Sequence, residues 1–203
     1  MNLSTIAPPA GISRAATAAM QHINLRKFAV ATAGGTAPTA LHPSTPHRVY
    51  TLALDALAAG RELNAVQESG FRMLLTDGNE VLATVNMRQT TVGGGVEFQS
   101  VSQNGPYVEG VDQAIRFAES AAATVSPSYE IRLLQIPGLY IIAIWLHGSA
   151  DELFIPVNPA PAPLQSNRIY TERQFFQPLP SMAQSRLSMD NSPPDLSPHA
   201  GTP

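Results

Sequence analysis

The stretch Leu139–Leu146, which runs LYIIAIWL, is the longest apolar run in the chain and decides the fold class. It is far shorter than the ~20 apolar residues that a membrane-spanning helix needs. Its β-branched and aromatic residues favour a strand over a helix, and an unbroken apolar run is typical of a strand buried on both faces. We therefore predict a central strand in which Trp145 is buried.

Segments on both sides of this run show the patterns of further strands. In Tyr129–Leu133, apolar residues alternate with Glu130 and Arg132, which is the period of a half-buried strand. The segment Leu153–Val157 contains Pro156, and a proline confines a strand to an edge or end of a sheet. We expect one strand before the central one and one after it.

A hairpin is predicted earlier in the chain. Residues 71–75 and 81–85 alternate, and the pair Asp77-Gly78 lies between them, which is a strong short-range hairpin signal. A triple glycine at 93–95 follows as a connection, and the apolar residues of 96–101 predict a third strand.

Two segments have helical spacing. Thr45 and Pro46 are suited to begin a helix over about 46–59, and Gly60 is suited to end it. A second helix is predicted over 106–126. The apolar faces of the two helices consist of Val49, Leu52, Ala53, Ala56 and Leu57, and of Val108, Val111, Ile115, Ala118 and Ala122.

These elements predict an α+β fold, with a mostly antiparallel sheet of about five strands and two main helices packed on it. The globular domain is assigned to residues 45–157. Residues 1–44, rich in Ala, Ser, Thr and Pro, are predicted to be a flexible extension with at most a marginal helix over about 12–23. Residues 181–203 have almost no large apolar side chains and are predicted to be disordered.

A proline-rich strap is predicted over residues 158–180, with a short helix at about 171–177. One interpretation is a ligand for a polyproline-binding partner. The favoured interpretation is a stiff arm that docks Ile169, Phe175 and Phe176 over an apolar surface of the domain, because buried aromatic residues there would cover a sheet edge.

Composition excludes several classes of protein. The 203 residues include no cysteine, which rules out disulfides, zinc ribbons, iron–sulfur clusters and thiol nucleophiles. The net charge of −3 without a basic cluster argues against nucleic-acid binding. We predict no cofactor, no nucleic-acid partner and no membrane association. Lys27 is the only lysine beside eleven arginines, a bias typical of a GC-rich bacterial genome, and we expect a cytoplasmic bacterial protein.

The candidate catalytic residue is His147, at the end of the central strand, with Asp151 and Glu152 close behind it. A histidine beside carboxylates can act as a general base. The alternative is a strand-end histidine that hydrogen-bonds the turn at Gly148-Ser149. The second interpretation is favoured, because no nucleophile or substrate clamp accompanies the histidine in the sequence.

Metal and phosphate sites are not predicted. The histidines at 22, 42, 47, 147 and 199 lack paired-ligand spacing. The segment Asp77–Glu80 lacks the remaining ligands of a calcium loop, and the triple glycine at 93–95 is not followed by the lysine and helix of a phosphate loop.

The functional hypothesis from sequence is a non-enzymatic protein-interaction or assembly module with a protein partner. One alternative is a secreted or injected bacterial effector, because no acidic residue precedes Asp55 and such leaders are acid-poor. The other alternative is a small hydrolase or transferase that uses His147. The oligomeric state is not predicted.

Overall fold

The computed structural model describes residues 3–4, 11–21, 23, 41–77, 81–90, 95–103, 105–122 and 128–190. The strands of this part are β1 (Leu3–Ser4), β2 (His42–Pro43), β3 (His47–Thr51), β4 (Gln67–Thr76), β5 (Val81–Gln89), β6 (Val96–Gln103), β7 (Tyr129–Ile136), β8 (Ile141–His147), β9 (Glu152–Pro156) and β10 (Tyr170–Thr171). The helices are α1 (Ile12–Gln21), α2 (Leu54–Ala58), α3 (Pro106–Ala122), α4 (Glu172–Phe176) and α5 (Leu179–Asp190). Single 3-10 turns occur at Leu63–Ala65 and Pro137–Leu139.

All described strands belong to one mixed sheet with the order β10-β9-β8-β7-β3-β4-β5-β6. Strand β3 is parallel to β7, and its other neighbour β4 is antiparallel. The two-residue strands β1 and β2 pair with β7 and β4. The mixed α and β content agrees with the predicted class, but the sheet is larger than the five strands expected. The additional strands are β3 and the two-residue strands β1, β2 and β10.

The helix predicted over 46–59 is wrong for its first half. Residues His47–Thr51 form β3, and only Leu54–Ala58 are helical. The β-branched and aromatic residues Val49 and Tyr50 suit a strand, and β3 gains ladder hydrogen bonds on both sides by lying between β4 and β7. Of the apolar residues at helical spacing, only Ala56 and Leu57 lie in the helix, where both are buried.

Helices cover both faces of the sheet. On one face, which we call the α3 face, Val111, Ala114, Ile115 and Ala118 of α3 pack on Leu133 and other residues of β7 and β8. On the opposite face, α2, α4 and α5 cover β7–β9. Helix α1 covers β4–β6 on that opposite face too. Phe71, which packs against α1, pairs directly with Arg48 of β3. Arg48 lies on the same face of β3 as Tyr50, which packs against the cluster formed with α2, α4 and α5.

Parts of both predicted tails are folded. Helix α1 lies within residues 1–44 and buries Ala15, Ala16 and Ala19 against the sheet. Helix α5 runs to Asp190, so residues 181–190 are helical where disorder was expected. Burial of Leu179 and Ala183 anchors α5, and its polar outer side explains why the composition resembled that of a disordered segment. Residues 191–203 lie outside the described residues. Of residues 1–44, only 3–4, 11–21, 23 and 41–44 are described.

The strap docks as the favoured interpretation expected. Phe175 and Phe176 are fully buried, and their ring centroids lie 4.7 Å and 5.4 Å from that of Phe154 on β9. Thr171 begins α4 with a capping box, which satisfies N–H groups of the first turn. The predicted burial of Ile169 is wrong, because Tyr170 is buried instead.

The central strand has the expected position. Strand β8 is paired on both sides, with β7 and β9, and Trp145 is 6% exposed. In the described part of the chain, no helix has the length and apolar character needed to cross a membrane.

Candidate ligand cavity

A row of polar side chains crosses the middle of the sheet on the α3 face. The strand register places Arg72 of β4 opposite Asn86 of β5, and Asn86 opposite Ser100 of β6. Towards the other side of the sheet, Thr51 of β3 lies opposite Gln135 of β7. Since directly paired residues point to the same face, five neighbouring strands contribute to one polar surface.

A β-bulge opens this surface into a cavity. Val49 pairs with Gly70 and Tyr50 with Glu68, which leaves Ser69 as the extra residue of β4. Gly70 has φ of +152°, and a Cβ atom there would lie 2.1 Å from the carbonyl oxygen of Met87. Only glycine therefore permits this approach of β4 to β5, and bulges of this kind bend strands next to functional sites.

The cavity has a volume of about 310 Å³. This is at the small end of the ~300–1,000 Å³ that is typical of small-molecule sites. Its lining is mainly polar and consists of Val49, Thr51, Ser69, Gly70, Phe71, Arg72, Asn86, Met87, Gln99, Ser100 and Gln135.

Arg72 is the central side chain of the cavity, and it is 4% exposed. Its Nε donates to Oδ1 of Asn86 at 2.7 Å. With the Gln135 amide oriented so that its oxygen faces the guanidinium, this oxygen accepts from Nη2 at 2.6 Å and from Nη1 at 3.3 Å. The ring of Tyr107 from α3 covers the guanidinium, with 5.1 Å between Cζ and the ring centroid. All three partners are neutral.

The charge of Arg72 has no counter-ion in the cavity, because no carboxylate lines it. Desolvation by burial lowers the pKa of Arg72 to about 10, so the guanidinium still carries its proton at neutral pH. A buried cation is normally paired with a carboxylate or another anion. Among the described residues that line the cavity, no carboxylate pairs with Arg72.

Hydroxyl and amide groups hold the polar row in place. The amide nitrogen of Asn86 donates to the Ser100 hydroxyl at 3.0 Å. The Thr51 hydroxyl donates to the Ser69 hydroxyl at 3.0 Å, and Ser69 donates to the carbonyl of Val49 at 3.1 Å. The cavity therefore offers fixed neutral donors around one cation, which is the chemistry of an anion site.

The sequence-predicted residues His147, Asp151 and Glu152 lie elsewhere. The imidazole Nδ1 of His147 is 2.7 Å from Oε1 of Glu152, and the other oxygen of that carboxylate accepts from Nε1 of Trp145 at 2.6 Å. Asp151 accepts instead from the hydroxyl of Tyr129 at 2.8 Å. The structure thus brings His147 and Glu152 together and engages Asp151 with a different residue.

Electrostatics at this strand end are acidic. Burial and, secondarily, the hydrogen bond to Asp151 raise the pKa of Tyr129 to about 12. Burial, and then the charges of Glu152 and Glu62, raise the pKa of Glu172. Trp145 precedes His147 by two residues in β8, so both side chains lie on the same face of the sheet. Arg72 lies on the other face, the α3 face. The two sites are therefore separate.

The remaining sequence candidates are dispersed. His42 is exposed on β2, and His47 is buried on β3, where desolvation outweighs a hydrogen bond to the backbone of Ile131 and lowers its pKa. His22, His199, residues 78–80 and residues 93–94 lie outside the described residues. Among the residues that are described, no group of three or more His, Asp or Glu side chains is arranged to hold a metal ion.

Arg72 gave no signal in the sequence because it alternates with apolar residues, a pattern typical of the outer side of a half-buried strand. A second arginine or a carboxylate nearby would have drawn attention to it, but each of the five strands contributes only one or two polar residues to the cavity. Comparison of the chain with protein-family models, curated proteins and solved structures finds no match in any of the three. Function is therefore inferred from the chemistry of the site itself.

Proposed function

We propose that this chain is a non-enzymatic binding module whose Arg72 cavity receives an anionic group. The observation that carries the proposal is the guanidinium of Arg72, a residue that is 4% exposed, which has only neutral partners at the centre of a polar cavity. Leaving a buried charge unpaired is strongly unfavourable. A bound anion supplies the missing partner, so the unpaired charge is better explained as a binding determinant than as a stabilising contact.

The lining of the cavity supports binding rather than catalysis. General-base chemistry requires a group that exchanges a proton near the operating pH. The ionisable side chain in the lining is Arg72, which stays protonated, and its polar neighbours are amides and hydroxyls. These groups orient a ligand and do not take protons from it at neutral pH.

Binding of anions to wild-type protein and to Arg72→Met tests the proposal. Thermal unfolding is measured with a panel of carboxylates, phosphates and sulfates, since a ligand that binds the folded state raises the melting temperature. At least one anion is expected to stabilise the wild type and to leave Arg72→Met unaffected. Arg88→Met is the matched control, because Arg88 is an exposed arginine of β5 that pairs with Glu97. An equal response of wild type and Arg72→Met to every anion contradicts the proposal.

A hydrolase or transferase centred on His147 is the second candidate. The 2.7 Å contact with Glu152 favours it, because a carboxylate on Nδ1 orients the imidazole so that Nε2 can accept a proton. Hydrolysis of a panel of activated esters should then fall in His147→Gln and, less strongly, in Glu152→Gln. Wild-type rates equal to those of both variants would remove this candidate.

We also propose that the chain has a protein partner and that it is located in the cytoplasm of a bacterium. Burial of Ala15, Ala16 and Ala19 against β4–β6 makes α1 part of the folded domain, which is less expected of a cleavable or extended export leader. Export of a reporter fused to residues 1–44 is the measurement that would favour the effector alternative.

A further inference from the structure

We infer that the ligand of the Arg72 cavity is a small molecule with a single carboxylate, bound in preference to phosphate or sulfate. This inference rests on the proposed anion-binding function. It adds the chemical class of the ligand and a role for Gln135.

The charge of the site selects a monoanion. Arg72 is the one positively charged residue in the lining, so a carboxylate leaves the buried pair neutral. A phosphate monoester carries about −1.5 to −2 at pH 7 and would leave uncompensated negative charge in the cavity. Sites for phosphate typically add further cations or an array of backbone N–H groups.

The shape of the site also suits a carboxylate. A guanidinium is a planar fork that matches the two oxygens of a carboxylate. The side-chain oxygen of Gln135 lies 2.6 Å from Nη2 of Arg72. It marks a position at which a carboxylate oxygen of the ligand, taking its place, can pair with the guanidinium. On rotation of its amide, Gln135 can donate an N–H to the same carboxylate.

The volume limits the size of the ligand. A water molecule takes about 30 Å³ in the liquid, so a cavity of about 310 Å³ accommodates roughly ten non-hydrogen atoms. Small hydroxy acids, keto acids and acylated amino acids fall within this limit.

The test compares acids with matched neutral and phosphorylated compounds by thermal shift and by isothermal titration calorimetry on the full chain. Lactate, pyruvate and N-acetylglycine are the carboxylates, and the methyl ester of each is its neutral control. Inorganic phosphate, sulfate and glycerol phosphate are the competing anions. A short peptide with a free carboxyl terminus and its amide test a protein source of the same group.

At least one of the three carboxylates is expected to bind wild type, with its ester and the phosphates at least tenfold weaker. Arg72→Met and Gln135→Glu should each weaken the binding by at least tenfold. Gln135→Glu supplies an internal carboxylate that competes for Arg72, and its folding is checked by its melting temperature.

Three results overturn the inference. Arg72-dependent binding of phosphate or sulfate that is equal to or tighter than carboxylate binding removes the carboxylate class but leaves the anion-binding function intact. Binding of the free-acid peptide without the small acids removes the small-molecule assignment. Failure of every compound to distinguish wild type from Arg72→Met removes the inference and the proposed function together.

Discussion

Gln135→Glu is the substitution whose consequence follows most directly from the structure. The change replaces an amide by a carboxylate of nearly the same shape, at the position where the Gln135 oxygen lies 2.6 Å from Nη2 of Arg72. It therefore tests whether the cavity lacks one negative charge. We expect the variant to be more stable than the wild type and unable to bind an external anion.

The magnitude follows from the burial of Arg72. Its pKa falls to about 10 from an ordinary value near 12.5, and one pKa unit corresponds to about 1.4 kcal/mol, so desolvation disfavours the charged guanidinium by about 3 kcal/mol. An internal carboxylate recovers part of this and is itself partly desolvated. A net gain of about 1–2 kcal/mol remains, which raises the melting temperature of a chain of this size by about 5 °C.

The assay is urea or thermal unfolding at neutral and acidic pH. Pairing with Arg72 lowers the pKa of the introduced carboxyl below its unfolded value of about 4.3. The added stability is therefore fully present above about pH 4.3 and is lost as the pH falls through the folded pKa. Gln113→Glu is the control, since it adds the same charge at an exposed position of α3. A Gln135→Glu protein that is less stable than wild type at pH 7 would refute the reasoning.

Four further predictions concern stability and the histidines. Arg72→Met should change the free energy of unfolding by less than about 1–2 kcal/mol, because relief of the buried charge offsets the hydrogen bonds lost by Asn86 and Gln135; a larger loss in denaturant titration would make Arg72 a structural residue. Ile144→Ala should cost about 2–5 kcal/mol, since Ile144 is fully buried in β8, and an unchanged urea midpoint would contradict its place in the core. Burial lowers the pKa of His47, so the unfolded state binds the proton more readily than the folded state. The free energy of unfolding should therefore decline as the pH drops below about 6.5. In thermal melts, His47→Gln should flatten this decline. His147→Ala should remain folded and keep carboxylate binding, because His147 and Arg72 lie on opposite faces, and loss of binding measured by calorimetry would show that the two sites are coupled.

Local patterns were sufficient to predict the elements whose pairing is local. The hairpin β4–β5, the buried strand β8 and helix α3 follow from alternation, an apolar run and helical spacing. The docking of Phe175 and Phe176 followed from two adjacent aromatic residues after a proline-rich strap. In these cases the residues that determine the element lie within the element or next to it.

Strand β3 was missed because its stability comes from distant partners. It is five residues long and pairs with β4 and β7, which are separated from each other by more than fifty positions of sequence. The segment has apolar residues at helical spacing as well, and burial between two strands overrides that preference. Helix α5 was missed for a similar reason, since its anchoring residues Leu179 and Ala183 are few and its other side chains are polar.

The cavity was beyond prediction because it depends on register. A two-residue turn at Asp77-Gly78 would pair Arg72 with Ala83, whereas the observed register pairs Arg72 with Asn86. The bulge at Ser69 and the close approach at Gly70 are likewise set by three strands together. A polar row built from single residues of five strands leaves no local motif in the sequence.

The most direct test of the account is the side-chain Nε–H signal of Arg72 in a ¹⁵N-labelled protein titrated with lactate, pyruvate and N-acetylglycine. Assignment is made by the disappearance of the signal in Arg72→Met, and Arg88 serves as the exposed reference. A ligand that pairs with the buried guanidinium should shift the Arg72 signal in a saturable manner and leave that of Arg88 in place. A signal of Arg72 that stays unmoved by all three acids, or that moves only in parallel with Arg88, would contradict the claim that this cavity is a carboxylate site.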